Sequence, residues 1–199
     1  MEDLSLLNPP DAVTAIQQET DRIGFGMSSE PLVGALLRTL AASKPSGRFL
    51  ELGTGTGVAT AWLLSGMCPH STITSIDPDP KAQQIAARFL GADPRLQLLQ
   101  ADAIDYLASQ PHESFDLVFA DALPGKFEAL SLSLSRVKPG GFWIGDDLLP
   151  QPNWPEGHAP RIPLLLHALA GHPHFTITPL SWASGVVIAV RLRGLGASE

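Results

Sequence analysis

From Arg48 onward, short apolar runs alternate with segments in which apolar residues recur at helical spacing. The runs are nearly continuous in apolar residues, which is typical of strands that are buried on both faces. Strands of this kind, separated by amphipathic helices, predict a parallel sheet covered by helices on both sides. The predicted strands are Phe49–Leu52, Ile73–Asp77, Leu96–Gln100, Asp116–Ala120, Gly141–Gly145, Phe175–Leu180 and Val186–Leu192.

The last two predicted strands are joined differently from the others. Only the segment Ser181–Gly185 separates them, and it is too short for a crossover helix, so the two strands should form an antiparallel hairpin. The predicted fold class is therefore α/β, with a doubly wound, Rossmann-like sheet of seven strands that ends in this hairpin. In such a sheet the ligand crevice lies at the carboxyl ends of the parallel strands.

The segments between the strands carry signals of helix ends. Asp79 followed by Pro80 predicts where one helix begins, and Gly91 predicts where it ends. An apolar stripe from Phe127 to Val137, followed by Pro139-Gly140-Gly141, predicts another helix.

Two further helices are predicted before the first strand, at residues 11–24 and at about 29–42. A chain of 199 residues suits one domain. We therefore expect a single domain over residues 1–199, in which residues 1–45 form a helical flank or lid and residues 46–199 form the core.

The charge balance and the cysteine content restrict the class of ligand. The chain has 20 acidic and 13 basic residues, and its net charge of −7 disfavours nucleic acid and anionic membranes as partners. Cys68 is the single cysteine, so an intramolecular disulfide is excluded. The beginning of the chain is acidic and no apolar run approaches the ~20 residues that cross a bilayer. These features predict a cytoplasmic protein that binds small molecules.

A glycine-rich turn, Glu51-Leu52-Gly53-Thr54-Gly55-Thr56-Gly57, follows the first predicted strand. Val58 departs from the dinucleotide fingerprint, which requires Gly or Ala at this position, and no lysine follows as in a phosphate-binding loop. The turn favours a ligand that approaches the backbone closely. An ordinary strand-to-helix turn is the alternative interpretation.

Acidic residues stand at the ends of the first five predicted strands. Asp77 follows Gly53 by 24 residues, which suits a carboxylate that binds both ribose hydroxyls. A pyrophosphate would be repelled by this set, whereas a ligand with a sulfonium and an ammonium group would be attracted. S-adenosylmethionine is such a ligand. The acidic residues are Glu51, Asp77, Asp102, Asp121, Asp146 and Asp147.

Several motifs together resemble the class I S-adenosylmethionine-dependent methyltransferases. They are Glu51–Gly57, Ile76-Asp77, Ala101-Asp102-Ala103, Phe115–Asp121 and Lys138-Pro139-Gly140-Gly141. More narrowly, Met27-Ser28-Ser29-Glu30, Ala120-Asp121-Ala122 and Asp146-Asp147-Leu148-Leu149 resemble the metal-dependent O-methyltransferases related to catechol and caffeoyl-CoA O-methyltransferases. The resemblance extends from about Met27 to Leu192.

The resemblance implies which residues bind the cofactor. In that family the glycine turn holds the methionine part, the acid that matches Asp77 binds the ribose, and the residues around Asp102 contact the adenine. The implied cofactor-binding residues are Met27, Glu51, Gly53, Gly55, Gly57, Asp77, Pro78, Asp102, Ala103 and Asp121.

The resemblance also implies a divalent ion, Mg²⁺ or Mn²⁺, held by Asp121, Asp146 and Asp147. The family has Asn at the position of Asp147, so this chain would offer the ion a third carboxylate. The family also has Lys three residues after the first ligand, where this chain has Pro124. Lys126 follows two positions later. Lys126 and Asp121 are the predicted catalytic residues.

These features predict transfer of a methyl group to a hydroxyl oxygen of a small catechol-like or phenolic acceptor. Trp154, in the proline-rich loop after the acidic pair, either contacts an aromatic acceptor or packs within the loop. A homodimer is usual in the family. Two alternatives remain open: a methyltransferase acting on tRNA hydroxyuridine, and a protein that binds the cofactor without catalysis.

Overall fold

The computed structural model describes residues 6–194 and contains a seven-stranded sheet in the order β3-β2-β1-β4-β5-β7-β6. The strands are β1 (Arg48–Leu52), β2 (Thr72–Ile76), β3 (Leu96–Leu99), β4 (Phe115–Ala120), β5 (Val137–Gly145), β6 (Phe175–Leu180) and β7 (Val186–Arg191). The helices are α1 (Asp11–Ile23), α2 (Pro31–Ala42), α3 (Val58–Gly66), α4 (Pro80–Leu90), α5 (Ala103–Ser109), α6 (Leu123–Lys126), α7 (Leu130–Ser135) and α8 (Arg161–Ala170).

The pairing of the strands confirms the predicted doubly wound sheet. Strands β1 to β5 are parallel to one another, whereas β7 is antiparallel both to β5 and to β6. The predicted hairpin is therefore present, with β7 between β5 and β6. The carboxyl ends of β1, β2, β4 and β5 consequently lie at one edge of the sheet, where a ligand crevice is expected.

One predicted helix is wrong in its extent. Val137 lies in β5, opposite Phe115, and the strand continues through Pro139 and Gly140 to Gly145. The register shifts between Phe115 and Leu117, and Gly140 has a φ of +78°, so an irregularity in the strand accommodates the proline. Of the predicted stripe, Phe127 is the C-cap residue of α6, the middle part forms α7, and Val137 begins β5.

Apolar side chains pack on both faces of the sheet. On β1, Phe49 packs with α1, α2 and α3 on one face, whereas Leu50 packs with α5, α7 and α8 on the other. Successive side chains of a strand point to opposite faces, so each run contributes to both cores. Trp62 and Trp143 are fully buried, one on each side of the sheet.

The two N-terminal helices lie on the α3 side of the sheet. Helix α1 contacts α3 and α4, and α2 contacts α3. Gly34 of α2 lies against the indole of Trp62, where a Cβ would come within 2.3 Å of the ring. This contact brings the segment between α1 and α2 over the carboxyl ends of the strands.

Within residues 6–194, no helix has the length and apolar character needed to cross a membrane.

Candidate functional site

A cavity of about 390 Å³ lies at the carboxyl ends of β1, β2 and β4. Its walls come from the turn after β1, the ends of β2 and β4, the beginning of α5 and the segment before α2. Most of the predicted cofactor-binding residues line it: Met27, Gly53, Gly55, Asp77, Pro78, Asp102, Ala103 and Asp121. The chain thus brings together residues that are up to 94 positions apart in the sequence.

The glycine turn is held against the end of β2. The amide of Gly53 donates to the carbonyl of Ile76 at 2.8 Å, and the amide of Gly55 donates to Asp77 Oδ2 at 2.7 Å. Gly53 has a φ of +100°, and a Cβ there would lie 2.7 Å from the carbonyl oxygen of Asp121. Only glycine suits this position, because the conformation is left-handed and the end of β4 is so close.

Asp77 and Asp79 have different roles at the beginning of α4. Asp79 caps the helix by accepting from the amide of Lys81 at 2.8 Å, as its position before Pro80 predicts. Asp77 accepts from the amide of Asp79 through Oδ1 at 2.8 Å, and its carboxylate lines the cavity. Because a carboxylate has about four acceptor sites, Asp77 can still accept hydrogen bonds from a ligand.

The structure places Glu51 and Gly57 behind the cavity instead of in its lining. Glu51 is fully buried, and its Oε2 accepts from Thr60 and Ser75 at 2.5 Å each. Burial raises the pKa of this carboxyl to about 7, against the opposing effect of the two hydroxyl donors. Gly57 faces α4, where a Cβ would lie 2.7 Å from Ala86 Cβ. Both residues support the turn from beneath.

At the end of β3, Asp102 caps α5. Its Oδ1 accepts from the amides of Ile104 and Asp105 at 2.8 and 3.0 Å. The neighbouring Ala103 is the first residue of the helix and is nearly buried. The pair gives the cavity an apolar wall beside a polar edge, which suits the face and the edge of an adenine ring.

Asp121, whose side chain is 11% exposed, and the buried Asp146 form an acidic pair at the ends of β4 and β5. Asp121 Oδ2 accepts from Ser29 Oγ at 3.2 Å, and Asp146 Oδ1 accepts from the Ser184 hydroxyl and from the amide of Asp147. Burial raises the pKa of Asp121 above its ordinary value, and the neighbouring Asp146 raises it further. Burial likewise raises the pKa of Asp146, to about 6.

Lys126 reaches this pair from α6. Its side chain is only 2% exposed, its Nζ donates to the backbone carbonyl of Asp146 at 2.9 Å, and it lies 3.9 Å from Asp121 Oδ1. The two extra positions in the sequence therefore do not keep this lysine away from the acids. They form a turn in which Pro124 and Gly125 leave helical geometry and direct the next residue inward.

A smaller depression of about 100 Å³ adjoins the cavity at Asp121 and Asp147. Its walls include Lys126 and two aromatic residues of the proline-rich loop, Trp154 and His158. The two rings stack with centroids 4.5 Å apart, and Phe127 meets His158 edge-on at 5.0 Å. Trp154 thus packs within the loop, as one interpretation predicts, and it also lines the depression, whereas its contact with an acceptor stays a prediction.

Comparison with known proteins agrees with this geometry. Residues 50–148 match the family model described as "Methyltransferase domain". The chain carries a methyltransferase domain.

A curated protein of Mycolicibacterium vanbaalenii named "Putative O-methyltransferase" is 38% identical to this methyltransferase domain over 134 residues, which are 65% of this chain and 59% of that protein. A similarly named protein of Mycolicibacterium smegmatis is 41% identical over 116 residues, which cover 56% of this chain and 55% of that protein. The chain thus spans between half and two thirds of the length of these relatives.

A solved structure with the same fold is the O-methyltransferase TomG of Streptomyces achromogenes in complex with S-adenosylmethionine. It has a TM-score of 0.81 and 23% identity, and the match covers 94% of this chain and 92% of that one. The fold of the methyltransferase domain is therefore shared with proteins that bind this cofactor.

The predicted metal ligands Asp121, Asp146 and Asp147 line one small polar cavity of about 40 Å³, but the structure does not bring them together as a set of three ligands. In the part of the chain that the structure describes, no group of three His, Cys, Asp or Glu side chains is placed to hold an ion. Asp147 follows Asp146 in a left-handed conformation, with a φ of +61°. The ammonium of Lys126 lies beside Asp121 and Asp146. An ion held by these two residues would have to bind at the same place.

Sequence reasoning assigned no role to three residues of the site. Ser29 donates to Asp121, Ser184 donates to Asp146, and the ring Nε2 of His158 lies 3.0 Å from the carbonyl of Asp147. Ser29 belongs to the motif Met27-Ser28-Ser29-Glu30, which is part of the resemblance, so the sequence could have indicated that it lies in the site. Ser184 and His158 lie in loops without a recognisable pattern.

Proposed function

We propose that this chain transfers the methyl group of S-adenosylmethionine to a hydroxyl oxygen of a small acceptor. The observation that carries the proposal is the continuity of two spaces across Asp121 and Asp147. The larger cavity has the glycine turn and the ribose-type acid, and the smaller depression has aromatic walls and a buried ammonium. A donor in the first and an acceptor in the second would meet at this junction.

The residues of the larger cavity suit the parts of the cofactor. Asp77 would accept from the ribose hydroxyls, Pro78 and Ala103 would contact the adenine, and the turn from Gly53 to Gly55 would border the methionine part. When bound, the cofactor supplies an activated methyl group on a sulfonium. The two similar O-methyltransferase structures with S-adenosylmethionine and with S-adenosylhomocysteine, from Streptomyces achromogenes and Bacillus cereus, support this choice.

The chain contributes to the transfer mainly by positioning. An in-line displacement requires the acceptor oxygen, the methyl carbon and the sulfur to be aligned, and holding them so removes much of the entropic barrier. Asp121 fixes Lys126 at the junction, and the Lys126 ammonium lies where negative charge would develop on the acceptor oxygen. A preformed positive charge in a buried site stabilises the negative charge that the acceptor oxygen carries after it loses its proton, and this charge disappears as the bond to the methyl carbon forms.

The depression favours a planar aromatic acceptor. The stacked pair of Trp154 and His158, with Phe127 behind it, presents ring surfaces on which a flat molecule can pack. The indole Nε1 of Trp154 is buried and has no hydrogen-bond partner among the described residues. A polar substituent on the acceptor could accept from it, so a catechol or another phenol with a second oxygen is favoured.

A methyl-transfer assay with labelled S-adenosylmethionine tests the proposal. Catechols, simple phenols and unfractionated tRNA would be compared as acceptors, and cofactor binding would be measured separately by calorimetry. We expect labelled product with a phenolic acceptor. Cofactor binding without any transfer would favour a binding protein, and stronger labelling of tRNA would favour the RNA-modifying alternative. Failure to bind either form of the cofactor would refute the proposal.

We also propose a cellular location and an oligomeric state for this chain. A cytoplasmic location is proposed from the absence of a second cysteine in the sequence, and a homodimer from the resemblance to its family. Light scattering during size-exclusion chromatography would measure the mass, and a monomer at micromolar concentration would contradict the dimer.

A further inference from the structure

The position of Lys126 depends on a buried chain of hydrogen bonds. Trp143 Nε1 donates to Ser133 Oγ at 3.0 Å, and Ser133 Oγ donates to the carbonyl of Gly125 at 2.6 Å. The amide of Gly125 donates to the carbonyl of Glu128 at 2.7 Å. The turn before Lys126 is therefore held at both its amide and its carbonyl.

Packing fixes the same turn. Gly125 has a φ of +83°, and a Cβ at this position would lie 2.3 Å from Leu52 Cδ1, which belongs to the buried end of β1. The turn thus lies directly on the sheet core and has little freedom to move. Because Lys126 follows it immediately, its ammonium enters the acidic pair at a defined place.

The acidic side chains are only partly satisfied within the protein, because the buried Asp121 Oδ1 accepts no hydrogen bond from the described residues. Asp146 Oδ1 accepts two hydrogen bonds, from Ser184 and from the amide of Asp147, and Asp121 Oδ2 accepts from Ser29. The ammonium of Lys126 is the positive charge nearest to Asp121, at 3.9 Å. A divalent ion between the same residues would have to displace this ammonium or bind beside it, against its repulsion.

We propose that the Lys126 ammonium takes the place of the divalent cation that the resemblance implies, so that methyl transfer by this chain requires no metal. This inference rests on the proposed function and concerns the same site. The ammonium stabilises the acceptor as its oxygen loses a proton to solvent at the mouth of the depression. That oxygen then forms a bond to the methyl carbon, and the carbon–sulfur bond breaks with its electron pair left on sulfur. A neutral thioether and a methyl ether result.

The first test measures the metal directly on the wild-type protein. After dialysis against EDTA, Mn²⁺ would be titrated with and without S-adenosylhomocysteine, with free Mn²⁺ followed by electron paramagnetic resonance. We expect no stoichiometric binding at micromolar Mn²⁺. Turnover should also be the same in EDTA and in Mg²⁺. Stoichiometric Mn²⁺ binding, or loss of turnover in EDTA with recovery in Mg²⁺, would overturn the inference.

The second test replaces the ammonium. Lys126→Met should lower turnover by about 100-fold, the size of effect seen when one charge-stabilising donor is removed, while affinity for S-adenosylhomocysteine stays nearly unchanged. Lys138→Met is the matched control, because Lys138 pairs with Asp116 at 2.8 Å at the opposite end of β4. Full turnover in Lys126→Met would contradict the inference.

The two tests separate this inference from the proposed function. The Mn²⁺ titration needs neither an acceptor nor a variant, so it remains decisive if Lys126→Met does not fold. If no acceptor is methylated, the proposed function fails, whereas the metal measurement still reports on the site.

Discussion

At the scale of single residues, Asp77 is the side chain on which cofactor binding should depend most. Its carboxylate holds the amide of Gly55 and faces the cavity. Asp77→Ala should therefore weaken binding of S-adenosylmethionine and S-adenosylhomocysteine by about 1.5–3 kcal/mol, the cost of losing charge-assisted hydrogen bonds. Isothermal titration calorimetry measures this, with the exposed Asp105→Ala as control. Equal affinities in the two variants would argue against a ribose contact.

Glu51 should make the stability of the fold depend on pH. Its pKa in the folded protein is about 7, above the ordinary value of 4.5, so the folded state binds the proton more strongly than the unfolded state. The contribution of protonated Glu51 to the free energy of unfolding is full below about pH 4.5, and it is lost as the pH rises through 7. The free energy of unfolding should fall over this range, by up to about 3 kcal/mol from this group.

Glu51→Gln isolates this effect. The amide keeps the shape of the side chain but does not titrate, so the variant should lose less stability than the wild type between pH 5 and pH 7.5. Urea denaturation at the two pH values measures the difference. An identical pH dependence in both proteins would show that Glu51 is ionised throughout this range.

At the scale of elements, the turn in α6 is the piece of backbone most sensitive to substitution. Gly125→Ala introduces a Cβ into the core beside Leu52 and strains a left-handed residue. Gly157→Ala is a matched control, because Gly157 has a φ of +79° but no other described atom within 4 Å of a Cβ. The control should cost about 1 kcal/mol of stability, and Gly125→Ala about 1–3 kcal/mol more.

Denaturant titration of both variants, together with turnover, tests this element. Gly125→Ala should also lower turnover, because Lys126 follows the turn directly. Equal losses of stability in the two glycine variants would mean that the core accommodates the new methyl group, and the turn would then not be rigid.

At the scale of the whole molecule, the net charge of −7 governs association with polyanions. Affinity for unfractionated tRNA should be weak and should be lost at moderate salt, because few phosphates can be neutralised. Filter binding at low and at physiological salt measures this, with a basic RNA-binding protein as the positive control. Tight binding that persists at physiological salt would instead reveal a basic surface that the total charge conceals.

The sequence by itself determined the sheet, its hairpin and the edge at which the site lies. Strand periodicity and the length of the Ser181–Gly185 connection are local properties, and they leave few topologies open. The acids at the strand ends could be found in the same way, because parallel strands place their carboxyl ends together. The extent of β5 could not be predicted, since Val137 ends a helical stripe in the sequence and only its pairing with Phe115 of β4 makes it a strand residue.

Only the tertiary structure decided what each polar residue of the site contacts. Glu51 adjoins the glycine turn in the sequence, yet its side chain points behind the turn to Thr60 and Ser75. Lys126 lies two positions after the place where the family that this chain resembles has its lysine. The turn at Gly125 nevertheless places its ammonium beside Asp121 and Asp146. Side-chain direction depends on backbone geometry and on packing between distant segments. Residue types and spacing alone do not specify either.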